Sequence, residues 1–137
     1  MGVSIDKNSS KEYFEIFEKE LISGFNQNEI LLFAKFSGDD KSVYKNILYF
    51  SEPKNIKLQT VNLNLQVYKK DNLFKISVLS DTLIKNLYLY SDDDLTFSNN
   101  YFDVVPGEYE FSYCNSNLDE EEFIKKLKYF SMAELNK

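Results

Sequence analysis

The chain has 137 residues, of which 43% are hydrophobic and 16% aromatic, and its formal net charge is −6. This length suits a single domain with one sizeable core, and the hydrophobic content excludes a disordered chain. The negative charge disfavours binding to nucleic acid or anionic lipid, and no apolar run reaches the roughly 20 residues of a membrane-spanning helix.

The N-terminal third begins with a polar stretch and then offers three candidate elements. Residues 1–10 lack the apolar segment of a secretory signal, and we expect them to be disordered or left over from cloning. Apolar residues in the segment 11–22 fit both helical and strand spacing, so its structure stays open. Apolar runs at 30–36 and 43–50 predict two strands, and the second must stop before Pro53, which cannot donate to a strand ladder.

The middle of the chain predicts a hairpin followed by another strand. Polar and apolar residues alternate over 61–67 and again over 74–78, which is typical of strands with one buried face. The polar Lys-Lys-Asp-Asn sequence at 69–72 predicts the turn between them. Alternating leucine and tyrosine at 87–90 predict a further strand, which ends at the aspartates 92–94.

The last third predicts one strand and leaves one segment open. Residues 109–113 alternate like a half-buried strand. The Pro106-Gly107 pair before them suits a turn, because proline presets φ at the second turn position and glycine accepts positive φ at the third. Asn117 is placed to cap a helix in the segment 119–135, yet residues 127–130 also fit a closing strand.

The spacing of these candidate strands and turns is that of an all-β sandwich. Candidate strands do not alternate with candidate helices, so the sequence does not predict a parallel sheet. It also contains no internal repeat and no linker-like segment. We expect most aromatic side chains at alternating strand positions to lie in the core.

Residue types that carry catalysis or bind metals are scarce. The sequence contains no histidine, which is the commonest general base and metal ligand. It also contains no arginine, the side chain that binds phosphate through two parallel hydrogen bonds. Cys114 is the single cysteine, so no disulfide forms within the chain, and we expect it to fill space in the core. The acidic runs at 92–94 and 120–122 lack the spacing of a calcium loop. The sequence therefore predicts no catalytic residue, no metal site and no cofactor.

The segment from Ser98 to Glu108 resembles a signature near the C-terminus of β-mannosidases of glycoside hydrolase family 2. The residues aligned with this signature are Ser98, Asn99, Asn100, Tyr101, Phe102, Asp103, Pro106, Gly107 and Glu108. The chain departs from the signature at Asn99, where the family usually has aspartate. Segments 46–58 and 80–89 resemble further family segments in the same order, so that the resemblance covers roughly residues 10–137.

The resemblance implies a fold and resolves the two open segments. It implies an immunoglobulin-like β-sandwich of about seven strands, formed by residues 11–137 as the C-terminal domain of a larger enzyme. It implies a strand at Tyr13–Phe17 and a short helical turn near Lys19–Gly24. It also implies a second short helical turn near Asp119–Phe123 and a strand through Leu127–Phe130.

The resemblance also implies a function for the chain. In the family, the two catalytic glutamates of a retaining hydrolase that removes terminal β-D-mannose lie on a (β/α)8 barrel upstream of this segment. The chain is therefore expected to be a non-catalytic accessory domain that packs on and supports the barrel. The loop 98–108 is the expected docking surface or active-site rim. Phe102 and Val104 should point into the core, with Asn100 and Tyr101 outward.

Two alternatives stay open. One is an independent carbohydrate-binding module, and the other is an immunoglobulin-like domain of another family 2 glycosidase, such as a glucosaminidase. A single outward ring, Tyr101, predicts that loop 98–105 is not a free-standing sugar site. The expected partners are the remaining domains of the parent chain, with carbohydrate at the cleft rim as a further candidate and neither nucleic acid nor membrane. A cytoplasmic location is slightly favoured, because the fragment has no signal peptide and one cysteine.

Overall fold

The computed structural model describes residues 2–134. The chain forms two compact units, Met1–Ile56 and Lys57–Lys137. The domain predicted over residues 11–137 therefore spans both units. The expected disorder of residues 1–10 stays a prediction.

The first unit contains a helical turn and a two-stranded antiparallel sheet. The helix is α1 (Glu18–Leu21), the strands are β1 (Leu31–Ser37) and β2 (Val43–Tyr49), and a short 3-10 helix covers Pro53–Asn55. Strand pairing sets Phe33 opposite Ile47. These elements confirm the two predicted strands and the helical turn near Lys19–Gly24.

The strand implied at Tyr13–Phe17 is wrong, because residues 11–17 form no regular structure. In the described part of this unit only β1 and β2 are strands, and they pair with each other, so the segment joins neither edge of their sheet. Phe14 and Phe17 lie exposed. No side chain in residues 2–56 is fully buried, and a two-stranded sheet of this kind is marginally stable alone.

The second unit is the sandwich. Its strands are β3 (Leu63–Lys70), β4 (Leu73–Ser80), β5 (Ile84–Tyr90), β6 (Phe102–Val104), β7 (Glu110–Asn115) and β8 (Lys128–Phe130). Helix α2 (Glu120–Lys126) precedes β8, and a short 3-10 helix covers Met132–Glu134. The strands form two antiparallel sheets, in the orders β3-β4-β7 and β6-β5-β8. The predicted all-β, immunoglobulin-like sandwich is confirmed.

The core of this unit lies on the inner faces of β4 and β5. Phe74, Ile76 and Val78 of β4 are fully buried and cluster with the buried leucines of β5. Every second residue of β4 is buried, as its sequence alternation predicts. Phe123 of α2 closes the cluster, since its ring stacks on Phe74 with centroids 3.9 Å apart.

The alternation of β7 is correct, but its aromatic residues face outward. Ser112 and Cys114 are buried, whereas Phe111 and Tyr113 are exposed. The register sets Cys114 beside Phe74 and Ser112 beside Ile76, so bulky side chains of β4 take the interior space. Small side chains are then the ones that fit on β7. The expectation that aromatic residues of this strand lie in the core is wrong, while Cys114 packs inside as predicted and burial raises the pKa of its thiol.

The C-terminal segment contains both a helix and a strand. Helix α2 confirms the helical turn near Asp119–Phe123, and β8 confirms the strand within Leu127–Phe130. The cap is Asp119, whose carboxylate accepts a hydrogen bond from the Glu122 backbone N–H, so the cap predicted at Asn117 is wrong. A bilayer crossing would need a longer and more apolar helix than any within residues 2–134. The end of the segment, from Leu135 on, lies outside the described residues.

Candidate functional site

The loop 98–108 begins alongside β7. Ser98 donates its backbone N–H to the Tyr113 carbonyl and accepts the Tyr113 N–H on its hydroxyl, both at 2.8 Å. The Ser112 hydroxyl donates to the Asn99 carbonyl at 2.7 Å. The first two signature residues are therefore attached to the sheet β3-β4-β7.

Asn100 attaches the loop to the other sheet. Its side-chain oxygen accepts the Leu89 N–H at 2.7 Å, and its side-chain nitrogen donates to the Leu89 carbonyl at 2.8 Å. A carboxamide offers the same donor and acceptor as a peptide group, so Asn100 replaces a neighbouring strand at this point of β5. The expectation that Asn100 points outward is wrong.

Asp103 fixes an irregularity in β5. The pairing of β5 with β6 shifts register between Ile84 and Leu87, and Asn86 has a positive φ of 53° there. One Asp103 oxygen accepts the Asn86 N–H and the other the Lys85 ammonium, each at 2.8 Å. On either side of Asp103, Phe102 packs against the core and Val104 is buried, as the sequence predicts.

The Pro106-Gly107 turn returns the loop to β4. Glu108 donates its backbone N–H to the Val105 carbonyl at 3.0 Å, which closes the predicted turn, and Gly107 has a φ of 76°. The Gly107 N–H donates to the Ser80 carbonyl at 2.9 Å. The loop is thus hydrogen-bonded to β7, β5 and β4 in turn, and it connects the two sheets.

Replacing Gly107 by valine should lower the free energy of unfolding by about 1–2 kcal/mol, because a β-branched residue is strained at positive φ. An ideal Cβ at Gly107 would meet no heavy atom within 4 Å beyond the two neighbouring residues of the chain, so conformation and not collision sets the cost. Thermal melts of the two proteins measure it. Gly107→Asn is the control, since asparagine tolerates this region, and equal losses for both variants would contradict the explanation.

The acidic runs join ion pairs. Asp93 contacts the Lys126 ammonium at 2.8 Å, and Asp92 contacts Lys128. These hydrogen bonds raise the pKa of both lysines. Within residues 2–134, no group of three or more histidine, cysteine, aspartate or glutamate residues is placed to hold a metal ion.

A row of tyrosines lies on the sheet β6-β5-β8. The Tyr101 side chain is 66% exposed, as predicted, and Tyr101 has a positive φ of 57°. Its ring stacks on Tyr88 at 4.6 Å, and Tyr88 stacks on Tyr90 at 5.7 Å. A cavity of about 410 Å³, here called the tyrosine cavity, opens beside this row. It is lined by Asn86, Tyr88, Tyr101, Phe130 and Met132.

A second aromatic surface lies on the outside of the sheet β3-β4-β7. The aromatic face, as we call it, consists of Tyr68, Lys75, Tyr109, Phe111 and Tyr113. The register sets Lys75 between Tyr68 and Tyr113 on neighbouring strands. The Lys75 ammonium lies 4.2 Å from the Phe111 ring centroid, and Tyr109 stacks near Phe111 at 6.2 Å with planes 7° apart. Sequence reasoning missed this surface, since alternation does not say which face is buried.

Comparison with known families decides what these residues belong to. The Ig_mannosidase family, described as an Ig-fold domain, matches residues 58–135. The chain belongs to this mannosidase Ig-fold family. The Mannosidase_ig family, described as a mannosidase Ig/CBM-like domain, matches residues 1–55. No curated protein matches the chain at a significant level.

The two matches agree with the division of the structure into units at residues 56 and 57. The mannosidase Ig-fold domain coincides with the sandwich and contains the whole loop 98–108 together with both aromatic surfaces. The predicted resemblance to an immunoglobulin-like domain of a mannosidase is confirmed.

Proposed function

We propose that the chain is a non-catalytic accessory part of a β-mannosidase, a retaining hydrolase that removes terminal β-D-mannose. The proposal rests on the hydrogen bonds that the signature loop makes within the sandwich. Asn100 and Asp103 direct their polar atoms to β5 and its bulge, and Ser98 directs its hydroxyl to β7. The loop that resembles β-mannosidases therefore holds the sandwich together. The two matches to mannosidase domains support the same assignment.

The proposed place of catalysis is another part of the parent chain. A retaining glycosidase needs two carboxyl groups about 5–5.5 Å apart on either side of the scissile bond. The Asp103 carboxylate already accepts hydrogen bonds from Lys85 and Asn86, so it is committed to the fold. We assign the two catalytic glutamates to a barrel elsewhere in the parent enzyme, as the resemblance implies.

The aromatic face is the proposed surface for packing on that barrel. Contiguous exposed apolar surface marks interaction sites, and tyrosine and phenylalanine are enriched at the centres of protein interfaces. Phe111 and Tyr109 of this face suit protein better than sugar. One side of the Phe111 ring is covered by Lys75, and Tyr109 stacks close to it. A sugar needs an open ring face, whereas a protein surface also packs against ring edges.

The docking proposal predicts a stability effect that depends on the parent protein. Tyr113→Asp, on the aromatic face, should weaken the contact with the barrel by about 2 kcal/mol. It should therefore lower the melting temperature of the parent protein. The same change should barely alter the melting temperature of the 137-residue chain, because the Tyr113 side chain is 41% exposed there. Thermal melts of both proteins measure the difference.

The matched control is Tyr129→Asp on β8, since Tyr129 is similarly exposed, at 37%. It lies in the other sheet, so it should leave the parent protein nearly unchanged. Equal melting temperatures of the two parent variants would contradict docking through the aromatic face.

A further inference from the structure

We infer that the tyrosine cavity is a carbohydrate-binding subsite for one neutral pyranose ring. The inference rests on the proposed function only for the choice of a β-mannoside as ligand. At about 410 Å³ the cavity lies within the range of small-molecule sites, which is roughly 300–1,000 Å³. Three of its five lining residues are aromatic, one is an amide, and none is charged.

The backbone around the cavity takes a left-handed conformation at two positions where no tight turn requires it. Five non-glycine residues in the described chain have positive φ, and two of them, Asn86 and Tyr101, line this cavity. Lys41 and Asp71 lie in the turns that join β1 to β2 and β3 to β4. Asn86 instead lies inside β5, and Tyr101 immediately precedes β6. Asparagine tolerates this conformation, whereas it is costly for tyrosine. Costly conformations of this kind cluster at ligand sites, and bulges redirect side chains next to them.

Two signature residues, Asp103 and Asn100, hydrogen-bond to the backbone at Asn86 and Tyr101. Asp103 accepts the Asn86 backbone N–H at 2.8 Å. The side-chain oxygen and nitrogen of Asn100 are both hydrogen-bonded to the Leu89 backbone. The same oxygen also accepts the Tyr101 backbone N–H, with a nitrogen–oxygen distance of 3.3 Å. The loop therefore fixes where the Asn86 and Tyr101 side chains stand.

The lining chemistry matches a sugar ring. A pyranose presents C–H groups on its face and hydroxyl groups around its edge. Tyr101 stacks on Tyr88 with one face, and no other ring or cation within residues 2–134 stacks on it. Among the same residues the side-chain amide of Asn86 has no hydrogen-bond partner, so its donor and acceptor remain available to hydroxyl groups. The uncharged lining favours a neutral ligand over a phosphate or a carboxylate.

The sequence predicted no free-standing sugar site here because it counted one outward ring. The structure brings Tyr88 from β5 and Phe130 from β8 to the same cavity, and these neighbours are set by strand pairing. Tyr88 stacks on both Tyr101 and Tyr90, so it supports the Tyr101 ring. A single ring gives a weak platform, whereas Tyr101, Phe130 and the Asn86 amide around one cavity can hold a pyranose.

The test is a titration of the 137-residue chain with methyl β-D-mannoside, followed by amide NMR shifts. Saturable shifts are expected at residues 86, 88, 101 and 130, with a Kd in the millimolar range. Tyr101→Ala should weaken binding at least tenfold. Asn86→Gly, which keeps the positive φ and removes the amide, should also weaken it. Tyr68→Ala is the matched control, since Tyr68 is 64% exposed and lies in the other sheet.

A parallel titration with methyl β-D-glucoside separates this inference from the proposed function. Saturable shifts with neither sugar up to about 50 mM would overturn the subsite and leave the accessory assignment untouched. Binding of the glucoside without the mannoside would support a sugar subsite and count against a β-mannosidase parent. Shifts that persist in Tyr101→Ala would overturn the assignment of the cavity.

Discussion

Phe123→Ala should lower the free energy of unfolding by about 3–5 kcal/mol, the range for truncating a buried phenylalanine. Phe123 is 1% exposed, and its ring lies parallel to Phe74 with planes 6° apart. It is the one buried residue of α2, so the contact fastens the helix to the sandwich. Truncation would leave a cavity against Phe74 and release the helix.

Urea denaturation followed by circular dichroism measures this loss from the transition midpoint and slope. Ile124→Ala is the control, since Ile124 is the next residue of the same helix and is 50% exposed. It should change stability by less than about 1 kcal/mol. Similar losses for the two variants would show that α2 does not close the core.

Asn100→Ala should cost about 2–4 kcal/mol, the second largest effect expected. The substitution removes both hydrogen bonds to the Leu89 backbone, and Leu89 is fully buried. A buried backbone group left without a partner costs about 1–3 kcal/mol. The loop would also lose its attachment to β5, while its bonds to β7 remain.

Asn99→Ala is the matched control for this prediction. The Asn99 side chain donates one long hydrogen bond, 3.5 Å to the Phe111 carbonyl, so its removal should cost less than about 1 kcal/mol. Melting temperatures and hydrogen exchange of the Leu89 amide measure both variants. If Asn99→Ala destabilises the chain as much as Asn100→Ala, the two asparagines have equivalent roles and the loop is held differently.

Much of the sandwich was predictable because its signals are local. Alternation on both sides of a polar stretch predicted the β3-β4 hairpin and one buried face for each strand, and the structure narrows the turn to residues 71–72. The outward orientation of β7 could not be predicted, because the side chains of β4 decide which face fits the core. The strand implied at Tyr13–Phe17 failed for a similar reason, since pairing depends on a partner strand.

The candidate site depended even more on distant neighbours. Phe102 and Val104 were placed correctly from their spacing, but Asn100 binds a backbone 11 residues earlier in the chain. Asn86 has its left-handed conformation at a bulge in β5 that no local sequence pattern predicts. The division between the units was also hidden, because residues 51–60 contain no glycine-rich or serine-rich linker.

The most direct test of the accessory role is hydrolysis of an aryl β-mannoside, measured as release of the chromophore. The purified 137-residue chain and the whole product of the gene that encodes it are assayed side by side. The account predicts turnover by the whole product and none above the buffer blank by the 137-residue chain. Turnover by the chain alone, or a whole product that folds but does not hydrolyse the substrate, would contradict it.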